Sequence, residues 1–189
     1  MKSTMPVRGR AVIVTALIAV LAGLLLAATD ASAQSPGASG GFSSEPAPAP
    51  EPTAEIAMAP DGRTAVAPAG APEAVVKAVA AANRITRKPY KWGGGHGRWR
   101  DSGYDCSGAV SYVLHAAGLL RTARDSSGLM SYGWKGKGQW ITIYAHGGHA
   151  YMEIAGLRFD TSGRGEDGPR WRTEPRSGGG FVKRHPSRL

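Results

Sequence analysis

The apolar positions of this chain change period along its length. Residues 11–28 form an apolar run of 18 residues, behind Lys2, Arg8 and Arg10. After Pro72, the positions Val75, Val76, Val79, Ala80 and Asn83 recur at helical spacing, with Lys77 and Arg84 on the opposite face. Proline suits the first helical position and Pro89 cannot continue the run, so a helix is predicted between them. A second helix is predicted from Cys106, because Cys106, Ala109, Val110, Val113, Leu114 and Ala117 make one stripe. Asp105 is a good N-cap for it and Gly118 a good C′ residue.

Beyond Gly138 the period falls to two. Ile141, Ile143 and Ala145 alternate with polar or aromatic neighbours up to His146. Gly147-Gly148 then predicts a two-residue turn, residues 149–154 a second strand, Ala155-Gly156 another turn, and residues 157–161 a third strand. Two-residue turns define the register. His146 then faces His149, Tyr144 faces Tyr151, Glu153 opposes Arg158 and Tyr151 opposes Asp160. Ile141, Ile143, Ala145, Ala150, Met152, Ile154, Leu157 and Phe159 share the other face, and a one-residue slip would scatter them.

Composition divides the chain into three parts. The basic start, the apolar run and Ala31-Ser32-Ala33 predict a cleaved signal peptide over residues 1–33. An uncleaved anchor is the alternative, since 18 residues is near the lower limit for spanning a bilayer. Residues 34–71, rich in Ala, Pro, Gly and Ser around Glu45-Pro46-Ala47-Pro48, read as a disordered, semi-rigid linker. Residues 72–189 are the expected folded domain. Within it, Arg170-Trp171-Arg172 reads as a basic loop, and Phe181 to His185 as an edge strand halted by Pro186.

Charge then narrows the partners. The linker carries net −3 and the domain net +10, within a whole-chain charge of +9. For an exported domain this favours anionic wall polymers, and no nucleic-acid motif argues for DNA or RNA. The membrane enters only through the signal peptide or its uncleaved form. The expected location is secreted, extracellular or wall-associated.

Export also makes the single cysteine informative, because exported cysteines usually pair as disulfides. Cys106 has no partner in the chain, which leaves a buried small side chain, an intermolecular disulfide or a nucleophile. A thiol in a first helical turn sits beside free N–H groups and the positive end of the helix dipole, which favour thiolate. The register adds His149 and, diagonal to it on the same sheet face, Asp160. Thiol, imidazole and carboxylate are the nucleophile, base and orienting acid of a cysteine hydrolase. Ser162 and Thr161 are rivals for the third place, and His146 is the rival base. His115 reads as a solvated helix residue, and His96 as a neighbour of the cleft entrance. No metal or cofactor is expected: one Cys and no H-E-x-x-H make a zinc site poor, and Gly93-Gly94-Gly95 lacks the G-K-[ST] of a phosphate loop.

Three stretches together resemble the NlpC/P60 peptidases: Pro89-Tyr90-Lys91-Trp92-Gly93-Gly94, Tyr104-Asp105-Cys106-Ser107-Gly108, and His149-Ala150-Tyr151-Met152-Glu153-Ile154-Ala155-Gly156. The resemblance spans roughly residues 72 to 165. It implies a papain-like α+β fold, with a nucleophile helix packed on an antiparallel sheet, and hydrolysis of amide bonds in peptidoglycan stem peptides. By position it implies Cys106 as nucleophile, His149 as base and Asp160 near the third polar residue. Tyr90, Trp92, Asp105 and Ser107 fall on the substrate side, with Asp105 placed to receive a substrate amine. Two departures accompany it: Gly138-Gln139-Trp140 replaces the usual G-D-hydrophobic segment, and the third residue is Asp where that family often has His. A catalytically silent wall-binding module and a thiol-dependent acyl or amide transferase are the alternative functions.

Overall fold

The computed structural model describes residues 55–163, 168–187 and 189. The signal peptide and residues 34–54 of the expected linker lie outside them. The architecture is α+β: an antiparallel sheet in the order β3-β8-β4-β5-β6-β7, a separate hairpin β1-β2, and helices α1 to α3.

The linker expectation is corrected over residues 55–71. Ala57–Met58 (β1) and Ala65–Val66 (β2) pair as a hairpin. Asn83 of α1 holds it, accepting from the Ala65 N–H and donating to its carbonyl, both at 2.9 Å. Asp61 caps the turn between the strands by accepting from the Thr64 N–H at 2.8 Å. Proline and alanine content concealed a strand pair that a side-chain amide from the helix completes.

Helix α1 spans Glu73–Ile85 after Pro72, as predicted, but its buried face is rotated. Val75, Ala78, Val79, Ala82 and Ile85 face the core, whereas Val76 is exposed. Alanines win there because α1 packs closely on α2, where small side chains let backbones approach.

Helix α2 spans Cys106–Ala116. Asp105 Oδ1 accepts from the Gly108 N–H at 2.7 Å. At the far end, Gly118 takes φ 77°. Its N–H bonds the His115 carbonyl at 2.9 Å, while the Leu119 N–H reaches the Leu114 carbonyl at 2.8 Å. This is a Schellman stop, and glycine is the residue that tolerates it.

The meander follows the expected register. Ile141–His146 (β4) pairs with His149–Ile154 (β5), with Tyr144 opposite Tyr151 and His146 opposite His149. Leu157–Asp160 (β6) pairs with β5, with Glu153 opposite Arg158. Ile141, Ile143, Ala145, Ala150, Met152, Ile154 and Phe159 are buried together, and Leu157 packs at their margin. Valine, leucine and tyrosine of α2 cover this face, so α2 lies on the sheet.

The segment after α2 carries a short helix, Ser126–Leu129 (α3), and Trp134–Lys135 (β3). Two further expectations are corrected. Val182–His185 (β8) is interior, because β3 pairs along its outer side and β4 along its inner side. Arg170–Arg172 is strand β7, in which Trp171 faces Phe159 across the ladder and donates Nε1–H to Asn83 Oδ1 at 2.8 Å. Both β7 and β3 are too short to show periodicity. None of the described helices is long and apolar enough to cross a membrane.

Candidate active site

The sulfur of Cys106 is set by close backbone packing around the first turn of α2. Tyr90 and Tyr104 form an isolated parallel bridge, and the Asp105 N–H bonds the Gly94 carbonyl at 3.3 Å. A Cβ at Gly108 would overlap that Gly94 oxygen, and one at Gly94 would overlap the Gly103 carbonyl. The glycines of Trp92-Gly93-Gly94 and of Cys106-Ser107-Gly108 therefore make one joint, which presses the tyrosine-tryptophan loop against the nucleophile helix.

Cys106 is 9% exposed and unpaired, and it opens on a cleft of about 340 Å³. Tyr90, Trp92, His96, Asp105 and Ser107 line one side; Asp125, Ser126, Ser127, Gly147 and Gly148 line the other. No local pattern marks this second wall, since α3 and the β4–β5 turn are separate segments brought together only by folding. Ser126 Oγ donating to the Gly147 carbonyl at 3.2 Å joins them. Trp92 is 87% exposed, so it flanks the cleft mouth rather than packing in the core.

His149, first residue of β5, is a neighbour of the Cys106 thiol, as is the backbone N–H of Ala150, and both stabilise negative charge on the sulfur. His149 Nε2 lies 2.9 Å from Asp160 Oδ1, which leaves Nδ1 for the thiol. Burial pushes the thiol pKa up, but the His149 and Ala150 hydrogen bonds outweigh it and leave Cys106 below the ordinary cysteine range. Burial likewise pulls His149 down, while the bonds to Asp160 and Cys106 lift it to about 9. For Asp160, burial acts upward, and the His149 and Ser162 bonds prevail and hold its carboxyl low. All three shifts favour the ionised forms: thiolate on Cys106, imidazolium on His149 and carboxylate on Asp160.

The rivals fall into other places. His146 accepts the Gly148 N–H at Nδ1, 3.0 Å away, and stacks at 4.4 Å on Phe181. Thr161 is buried with its hydroxyl unpartnered. Ser162 joins the site as a neighbour, with Oγ 3.3 Å from His149 Nε2 and 3.1 Å from Asp160 Oδ1. His115 is not a free solvated residue: it stacks on Trp99 at 3.9 Å and bonds the Leu120 carbonyl at 2.9 Å through Nδ1.

At the other end of the cleft, Asp105 is already engaged. Oδ1 accepts from Gly108 N–H, from Ser107 Oγ at 3.1 Å and from His96 Nε2 at 3.0 Å; Oδ2 accepts from the Gly93 N–H at 3.0 Å. His96 is thus a site residue that spacing alone could not tie to Asp105. The Tyr90 hydroxyl titrates above its usual range through burial first, then through the charges of Cys106 and Asp105. Tyr90 and Cys106 line the same cleft. Among the described residues, no group of three or more His, Cys, Asp or Glu could hold a metal ion.

The site is a helix-borne thiol faced by a strand-borne imidazole and a buried acid, on an α+β scaffold. No protein-family model matches this chain, and no curated protein does either.

Proposed function

We propose that this protein is a secreted cysteine peptidase of the NlpC/P60 type, with a papain-like fold, that hydrolyses amide bonds in peptidoglycan stem peptides. One observation carries the reading: Cys106, at the start of α2, neighbours His149, whose Nε2 is held 2.9 Å from the buried Asp160. That arrangement supplies nucleophile, acid-base and orienting group in sequence. The tyrosine-tryptophan-glycine loop packed on the same helix supports the wall-peptide substrate, because it is the part of the resemblance that forms the cleft wall.

In the proposed reaction the Cys106 thiolate attacks the scissile carbonyl, and the carbonyl π pair moves onto oxygen. The Cys106 N–H, which as a first-turn amide has no intrahelical acceptor, binds that oxyanion, with the Tyr90 hydroxyl beside it. The tetrahedral intermediate collapses, the C–N bond breaks, and the His149 imidazolium gives its proton to the leaving amine. Neutral His149 then takes a proton from water. The hydroxide attacks the thioester, the C–S bond breaks, and the new carboxylic acid leaves as the thiolate and imidazolium are restored.

The substrate peptide lies between the Tyr90–Trp92 wall and the Asp125–Ser127 wall, with its amine directed toward Asp105 and Ser107. Anionic wall polymers are a second proposed partner for the net +10 of residues 72–189. Digestion of purified muropeptides by the mature protein, read by mass spectrometry, tests the reading and identifies the bond. Cleavage by wild type and its loss in Cys106→Ala support it. Wall sedimentation without thiol-dependent turnover would favour the silent binding module, and ligated products would favour the transferase.

A further inference from the structure

The acid of the site has a second tie that the thiol chemistry above does not use. Arg176, in the segment after β7, donates from Nη1 to Asp160 Oδ2 at 2.9 Å and to Ser162 Oγ. Its guanidinium carbon lies 5.2 Å from the centre of the Tyr151 ring and 5.4 Å from that of Phe181, so two aromatic rings hold it in place. Asp160 has no exposed side-chain surface, whereas Arg176 keeps 29%. Arg176 is thus the solvent-side cover of a buried carboxylate.

The hydrogen-bond directions then follow from donor counting. Arg176 can only donate, so Ser162 Oγ accepts from it and turns its own proton toward Asp160 Oδ1, 3.1 Å away. Asp160 Oδ1 also receives the Ser162 N–H at 3.0 Å. With the hydroxyl proton committed, Ser162 does not donate to His149 Nε2, which must itself carry the proton it shares with Asp160. That leaves Nδ1 as the nitrogen that exchanges a proton with Cys106.

We propose that Arg176 is a positioning residue of the thiol site, which fixes the proton on His149 Nε2 through Asp160 and Ser162 and limits how tightly Asp160 holds the imidazolium. This rests on the hydrolase reading for its catalytic meaning. The second effect is electrostatic: a cation shared by the same carboxylate disfavours a second cation on His149. Arg176 therefore makes the imidazolium a better donor to the leaving amine. The charged or titratable groups that face His149 are Cys106 on α2, His146 on β4, Tyr151 on its own strand, Asp160 with Arg158 on β6, and Arg176. Arg158 does not substitute for Arg176, since its Nε stands 3.9 Å from Asp160 Oδ2.

Nitrogen-15 NMR titration of the histidine rings in the full chain, for wild type, Arg176→Gln and Arg176→Lys, tests the proposal without any substrate. In wild type His149 is expected to titrate near 9 with its neutral form protonated on Nε2. Arg176→Gln should raise that midpoint by about one unit, and Arg176→Lys should restore it. A midpoint that stays or falls in Arg176→Gln, or wild-type Nδ1–H tautomer, overturns the proposal. Should Arg176→Gln not fold, the wild-type guanidinium signal, assigned with Arg176→Lys, serves instead: it must shift in step with His149, and a flat guanidinium signal overturns the proposal. Muropeptide turnover separates the two levels. A shifted midpoint with no turnover by wild type leaves Arg176 as the tuner of His149 and removes the peptidase, whereas turnover with an unmoved midpoint does the reverse.

Discussion

Asp160 Oδ1 stands 2.9 Å from His149 Nε2, although the carboxylate side chain has no solvent-exposed surface. A buried carboxylate is costly unless donors satisfy it, and this one takes them from His149, Ser162 and Arg176. Asp160→Asn keeps the shape but offers an amide where the imidazole N–H needs an acceptor. Muropeptide turnover is expected to fall by about 10²- to 10⁴-fold, mainly in kcat, with the fold retained by circular dichroism. Asp160→Ala leaves the cation behind as well, and is expected to cost about 3 kcal/mol in denaturant unfolding.

Cys106 is held below the ordinary thiol range by its neighbours, against burial. Its iodoacetamide reaction should therefore persist well below the pH at which a free thiol slows. His149→Ala removes the main stabilising bond, and alkylation near pH 6 should slow by at least about tenfold. Equal rates in the two proteins would remove the ion pair.

The same pair makes an unusual stability profile. His149 is raised in the folded state, so its contribution is complete below the unfolded value of 6.5 and is lost as pH rises through about 9. Cys106 is lowered, so its contribution is present above the unfolded value of 9.0 and is lost as pH falls through the folded value. Across the interval between 6.5 and 9 the two slopes oppose each other. Wild-type Tm is expected to fall less there with rising pH than it does without the thiol, because sulfur gives up a proton as imidazole gains one on folding. In Cys106→Ala only the His149 limb remains, and Tm should decline through that interval. A parallel decline in wild type, by calorimetry, would contradict the coupled pair.

Asp105 caps α2 and borders the cleft, and the two roles separate by substitution. Asparagine is as good an N-cap as aspartate, but its amide nitrogen cannot accept the Gly93 N–H, so Asp105→Asn should keep the cap and cost about 1–3 kcal/mol for the stranded donor. Its loss of charge should raise KM for an amine-bearing muropeptide about tenfold, an effect of roughly 1.4 kcal/mol. An unchanged KM would leave Asp105 as a cap and a partner for His96 alone.

Asn83 joins the first hairpin to the β7 edge of the sheet through three bonds, to Ala65 N–H and carbonyl and from Trp171 Nε1. Asn83→Ala strands these groups and should cost about 2–3 kcal/mol. Hydrogen exchange at the Ala65 amide should accelerate in the variant while core amides of β5 stay protected.

Much of the site was legible because it is local or nearly so. A helix start is written in Asp105, in the apolar stripe from Cys106 and in Gly118. The β4–β5–β6 meander is written in alternation between two-residue turns, so its register, and with it the shared face of His149 and Asp160, follows from counting. Glycine spacing in the Tyr90 and Cys106 stretches carried a steric requirement, which the Gly94–Gly108 approach makes explicit.

The remainder depended on contacts between segments distant in the chain. Residues 55–71 look like linker until Asn83 supplies the bonds that close their hairpin. Neither β7 nor β8 advertises its partner: Trp171 needs Phe159, and β8 needs both β3 and β4. The α1 face was misplaced because valine is more hydrophobic than alanine, yet tight helix packing buried the alanines. By itself, then, the sequence determined the nucleophile helix, the meander and the candidate triad, because periodicity and turn length are local rules. Only the tertiary structure decided that His96 occupies Asp105, that α3 forms the opposite cleft wall, and that Arg176 covers Asp160, because side-chain pairing across long loops leaves no periodic trace.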